Sequence, residues 1–154
     1  MRRAVKTSSV DVNVRALAEK ICSKLQSKDY ASEYLAIYHF VVARTRYMRD
    51  PVQEEWIRSP AVMVSQIMAG NTPSLDCDDS ALLIAALINS IGGTCRFVTV
   101  SFNNMVHRGE RQYSHVYCEA FEPRSGKWIC LDPVAAENSR DMINRVQFRK
   151  NWPI

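Results

Sequence analysis

The segment Ala81-Leu82-Leu83-Ile84-Ala85-Ala86-Leu87-Ile88 constrains this chain most, because it is an unbroken apolar run without Gly or Pro. Most of these residues favour helix. Turn formers (Gly70-Asn71-Thr72-Pro73-Ser74) lie upstream and Gly92-Gly93 follows, which predicts one helix opening at Cys77 and ending before Gly92. A surface helix carries one apolar stripe, whereas this one is apolar on nearly all sides. It has to be a central helix, with Leu82, Leu83, Ala86 and Leu87 packed against a sheet.

The rest of the 154-residue chain supplies the cover for such a helix and reads as a single domain over 1–154. Val14, Leu17, Ala18, Ile21 and Leu25 recur at helical spacing within 11–27. A second helix is expected from Ser32 to about Arg46, capped by Ser32, with Leu35, Tyr38, His39 and Val42 along one face. Pro51 and Pro60 resist helix, so 47–60 reads mostly as loop, followed by a short helix over 61–69. After Gly93 the pattern changes to β-branched and aromatic residues. Strands are expected at Thr94–Phe102, Tyr113–Phe121 and Lys127–Leu131, with 103–112 as a polar loop. A short helix from Ser139 and an extended end complete the reading. Helices first and an antiparallel meander second make an α+β domain with helices on one side of a sheet.

Composition narrows the function classes. The basic N-terminus lacks the apolar core of a secretory signal, and no apolar stretch approaches the length of a membrane span. A soluble, cytoplasmic protein without a membrane partner is expected. The net charge of +4 is spread along the chain, with Glu137 and Asp141 interrupting the basic tail, which favours a solvated surface over a nucleic-acid interface. The five cysteines form no CxxC and no even framework, so reduced thiols are expected, with Cys118 and Cys130 as small core residues. No Cys/His set has zinc-ligand spacing, and neither metal nor cofactor is called for.

Three residues carry the chemistry. Cys77 sits at a helix N-terminus, where unpaired N–H groups and the macrodipole favour thiolate over thiol. Alternation along Tyr113–Phe121 puts Ser114, Val116, Cys118 and Ala120 toward the helices, with Tyr113, His115, Tyr117 and Glu119 on the other face. Pairing of the last two strands of the meander brings Asp132 within reach of His115. A carboxylate there fixes the imidazole tautomer and supports the imidazolium that pairs with a thiolate. Asp76, Asp78 and Asp79 oppose ionisation of Cys77, though weakly if they face solvent. His107, in the polar loop, ranks below His115 as a base, and His39 is expected to be packed or capped.

The runs Asp76-Cys77-Asp78-Asp79-Ser80-Ala81-Leu82-Leu83, Ser114-His115-Val116-Tyr117-Cys118-Glu119 and Trp128-Ile129-Cys130-Leu131-Asp132-Pro133 resemble the three motifs of the transglutaminase-like superfamily. The resemblance covers about residues 33–133. Tyr47-Met48-Arg49-Asp50-Pro51 and Ile57-Arg58-Ser59-Pro60 further resemble a subgroup found in bacteriophages and prophages. The resemblance implies a papain-like fold, with Cys77 as nucleophile, His115 as base and acid, and Asp132 as orienting carboxylate. One oxyanion donor would be the Cys77 backbone N–H, and Asn71 and Gln66 are both candidates for the second. The chain would then be a cysteine-type acyl-transfer enzyme acting on protein or peptide amides, hydrolysis being favoured over amine transfer. It would work in a bacterial cytoplasm or be phage-encoded. The alternative is a non-catalytic interaction module of the same fold, such as a phage morphogenesis or host-interaction factor.

Overall fold

The computed structural model describes residues 1–49, 57–103, 106–107, 110–134 and 145–154. The Asp50-Pro51 end of the upstream motif and the helix expected from Ser139 lie outside the described residues. Five helices come first: α1 (Arg2–Ser8), α2 (Val12–Cys22), α3 (Tyr30–Arg44), α4 (Pro60–Met68) and α5 (Cys77–Ser90). Two short strands, β1 (Arg46–Tyr47) and β2 (Ser74–Leu75), pair in parallel between them. Then come β3 (Cys95–Ser101), β4 (Val106–His107), β5 (Glu110–Arg111), β6 (His115–Glu122), β7 (Lys127–Leu131) and β8 (Phe148–Pro153).

Local chemistry sets most helix ends. The Asp11 carboxylate accepts from the N–H groups of Asn13 and Val14 to open α2. Asp29, rather than Ser32, caps α3: its carboxylate accepts from the Ser32 N–H. Pro60 occupies the first turn of α4, where a missing N–H costs nothing. Gly70 ends α4 at φ +85°, a left-handed conformation that suits glycine.

α5 is the centre of the molecule. Every residue from Asp79 to Ile88 is buried, and Leu82, Leu83, Ala86 and Leu87 are fully so. It lies on β3 and β6 and packs on its other sides against α1, α2, α3 and α4. Beyond its end, a Cβ on Gly93 would fall 2.4 Å from Ile88 Cγ2 and 2.9 Å from Tyr34 Cε1, so only glycine lets the chain turn so close to the core.

The main sheet is antiparallel in the order β7-β6-β3-β8. Its first three strands are the expected meander. The fourth, β8, joins the far edge of β3, with Phe97 opposite Trp152 and Trp152 Nε1–H donating to Thr99 Oγ1. On β6, Val116, Cys118 and Ala120 enter the core as alternation predicts.

Four expectations need correction. The buried stripe of α3 is Tyr34, Ile37 and Val41, while Leu35, His39 and Val42 are exposed. The helix is apolar around much of its circumference, so spacing alone did not select a face. β1 stands where helix end and loop were expected, held by backbone bonds to a segment 28 residues away. Part of the polar 103–112 loop forms the β4–β5 pair. Cys130 is exposed on the edge strand β7, whereas Cys118 is fully buried.

Candidate active site

Cys77 is the first residue of α5, half-buried, and its N–H donates to no group among the described residues. Asp76 makes this geometry: its carboxylate accepts from the Asp79 N–H and its carbonyl from the Ser80 N–H, which winds the first turn. The result is a sulfur at the positive end of a 14-residue helix with an unspent N–H beside it.

His115 opens β6 and is 8% exposed. Its Nε2 lies 2.8 Å from Asp132 Oδ2, and the Cys77 thiol lies near enough to the ring to help raise its pKa. With Nε2 committed to Asp132, Nδ1 is the nitrogen left for the sulfur. The structure thus brings Cys77, His115 and Asp132 together in one chain of contacts. Burial by itself depresses the imidazole pKa. The hydrogen bonds and charges of Asp132 and Cys77 outweigh it and raise the ring to about 9, so it is a cation at neutral pH.

Asp132 is itself held. It is 6% exposed, Oδ1 accepts from the Val134 N–H, and its carbonyl accepts from the Tyr38 hydroxyl at 3.2 Å. The His115 ring stacks with Phe102 and Tyr117, at centroid distances of 6.4 and 6.0 Å. Sequence reasoning assigned none of these supports. Tyr117 could have been found, since it shares the strand face with His115. Tyr38 could not, being 94 residues from Asp132.

Of the carboxylates around Cys77, Asp76 and Asp78 are half-buried and Asp79 is buried. Asp79 is 1% exposed; its Oδ1 accepts from the Arg58 N–H at 2.9 Å, and Oδ2 lies 3.6 Å from Arg58 Nε. Arg58 also donates through Nη1 to the Ser74 carbonyl, tying the approach to α4, β2 and α5 together. Burial, then the hydrogen bond and charge of Asp76 and the charge of Asp79, push the Asp78 carboxyl up to about 8. Asp78 thus holds its proton more tightly than an ordinary carboxyl, which weakens the negative field beside Cys77. Oxygens of Asp76, Asp78 and Asp79 lie within 4.8 Å of one another, close enough for a cation. Arg58 already neutralises one of them.

Gln66 and Asn71 together line a cavity of about 380 Å³ along α4, whose wall includes neither Cys77 nor His115. Gln66 Oε1 is buried there without a partner among the described residues. His107 stands on β4. His39 is exposed, with its ring edge-on to Tyr38 at 5.1 Å, so it is not packed into the core. No helix among the described residues is long and apolar enough to cross a membrane.

Comparison with curated protein sequences gives no match. Among solved structures, a candidate cysteine protease from Cytophaga hutchinsonii superposes at a TM-score of 0.53 and 21% identity, over 78% of this chain and 36% of that one. A candidate protease from Parabacteroides distasonis superposes at 0.60 and 12% identity, over 84% of this chain and 26% of that one. The chain thus spans about a third or less of the length of either neighbour, and at these identities the likeness is one of fold. The model of the transglutaminase-like superfamily matches residues 15–133. That match takes in most of the chain and all three residues joined at the site, and the protein belongs to the transglutaminase-like superfamily.

Proposed function

We propose that the protein is a cysteine-type acyl-transfer enzyme that cleaves protein or peptide amide bonds through Cys77, His115 and Asp132. The observation that carries this reading is the His115 ring, bonded to the Asp132 carboxylate at 2.8 Å and raised in pKa by the neighbouring Cys77 at a helix N-terminus. The Cys77 sulfur, as thiolate beside the imidazolium, attacks the carbonyl carbon. The oxyanion that forms accepts from the Cys77 N–H. The proton on His115 Nδ1 passes to the leaving amine, the C–N bond breaks, and a thioester remains. His115, now neutral, takes a proton from water as its oxygen attacks the thioester, and the thiolate leaves. Asp132 keeps the ring oriented and supports its charge in both halves.

Hydrolysis is preferred over attack by an amine, and the protease descriptions of both structural neighbours support that preference. The test is turnover of a mixed peptide pool, followed by mass spectrometry with and without added primary amine. Cys77→Ala and His115→Ala should each abolish turnover, and the double variant should be no worse than either, because the two act as one unit. Amine-capped products in place of free acids would reassign the second half-reaction. Substantial turnover by Cys77→Ala would end the reading.

A further inference from the structure

A cavity of about 280 Å³ opens between the end of α3, β1, the first turns of α5 and the residues that follow Asp132. It adjoins the site through the chain itself. Ser80 is three residues past Cys77 on the same helix face, and Pro133 follows Asp132. β1 is fixed to the segment leading into Cys77, since the Met48 N–H donates to the Leu75 carbonyl.

The lining is specific in character. Val42, Pro133 and Val134 give apolar walls. Ser80 is 3% exposed, and its hydroxyl has no hydrogen-bond partner among the described residues. Ser80 lines the cavity, where a ligand atom can meet its hydroxyl. Arg46, exposed at the other end, forms no ion pair among the described residues. Two acids of the site have other partners: Asp79 is held by Arg58 and Asp132 by His115. In β1 the N–H groups of Arg46 and Met48 point to β2, which leaves the N–H of Tyr47 on the opposite edge, without a partner among the described residues and oriented to pair with an extended strand.

We propose that this cavity is a substrate subsite for a carboxylate-bearing side chain, Glu or Asp, of an extended peptide running along the outer edge of β1. The Ser80 hydroxyl donates to the carboxylate at the floor, and the Arg46 guanidinium pairs with it at the mouth. The assignment rests on the acyl-transfer reading of Cys77 and adds the substrate's chemistry to it.

The experiment uses blocked peptide pools that differ only in carrying Glu, Ala or Lys at each position in turn. Turnover by the wild type is read by mass spectrometry, and binding by Cys77→Ala is read by fluorescence anisotropy. At one position the wild type should prefer Glu over Lys by at least about tenfold in kcat/KM, the scale of discrimination by a built polar site. Arg46→Glu should reverse that ratio, and Ser80→Ala should shrink it with no change in melting temperature. The same order should appear in binding, which does not depend on catalysis. Turnover with equal Glu and Lys rates at every position, unchanged in Arg46→Glu, overturns the subsite and leaves the enzyme standing. Glu-selective binding lost in Arg46→Glu, without turnover by the wild type, keeps the subsite and overturns the chemistry. Neither turnover nor selective binding overturns both.

Discussion

Replacing Asp79 with Ala tests how the helix that carries Cys77 is anchored. Asp79 is 1% exposed and satisfies the backbone N–H of Arg58 at 2.9 Å, so truncation strips that N–H of its acceptor. An orphaned buried donor costs about 1–3 kcal/mol. The ion pair with Arg58 adds less. It is 3.6 Å long and the Arg58 side chain is 37% exposed, so it belongs near the surface range of about 0.5–1 kcal/mol. The sum is a loss of about 1.5–4 kcal/mol. For a chain of this size that lowers the melting temperature by about 3–16 °C. Asp79→Asn keeps a carbonyl oxygen for the N–H and should lose only the ion-pair part, about 0.5–1 kcal/mol. A double-mutant cycle with Arg58→Ala should show a coupling of only about 0.5–1 kcal/mol, the ion-pair part, because Arg58→Ala keeps the backbone N–H. Urea denaturation of the four proteins measures all of this. A loss below about 0.5 kcal/mol in Asp79→Ala, or Asn and Ala variants of equal stability, would refute the claim that this carboxylate ties Arg58 to α5.

Leu83→Ala should cost about 2–5 kcal/mol by urea denaturation, since the side chain is fully buried between sheet and helices; a loss under about 0.5 kcal/mol would displace α5 from the centre. Iodoacetamide should alkylate Cys77 ahead of the exposed Cys130, and His115→Ala should erase that lead, as read by peptide mapping. Cys22, pushed up to about 11 by burial and then by Glu33, and the core thiol Cys118 should lag. His115 is raised to about 9 from an unfolded value of about 6.5, so the native state binds this proton more tightly. That stabilisation, at most about 3 kcal/mol, is complete below pH 6.5 and disappears as pH rises through 9; His115→Gln should flatten the profile there. Asp78, raised to about 8, weakens the fold in the same direction as pH climbs from about 4 through 8, and Asp78→Asn should relieve the loss at the alkaline end.

Much of the site was legible because its parts are local signals. A turn-rich stretch before an apolar run marks the N-terminus of α5, and therefore the placement of Cys77, without reference to the rest of the chain. Strand alternation separates His115 from Val116 and Cys118, and a short hairpin connection sets β7 against β6 closely enough to bring Asp132 to the ring. The face of α3 was misread for the converse reason. Tyr34, Leu35, Ile37, Tyr38, Val41 and Val42 surround the helix, and which of them are buried depends on where α5 and the sheet lie.

Sequence alone thus determined the central helix, the meander and the order in which a thiol, an imidazole and a carboxylate arrive, because each follows from residue types a few positions apart. Tertiary structure decided what those groups experience. The Tyr38 hydroxyl reaches Asp132 across 94 residues, Arg58 crosses 21 residues to neutralise Asp79, and β8 closes the far edge of the sheet. Ser80 lines a cavity built by four separate segments. Protonation of Asp78 likewise depends on burial and on neighbours that only folding supplies. Local propensity acts over a few residues, whereas desolvation and hydrogen bonding between distant segments exist only once the chain has closed on itself.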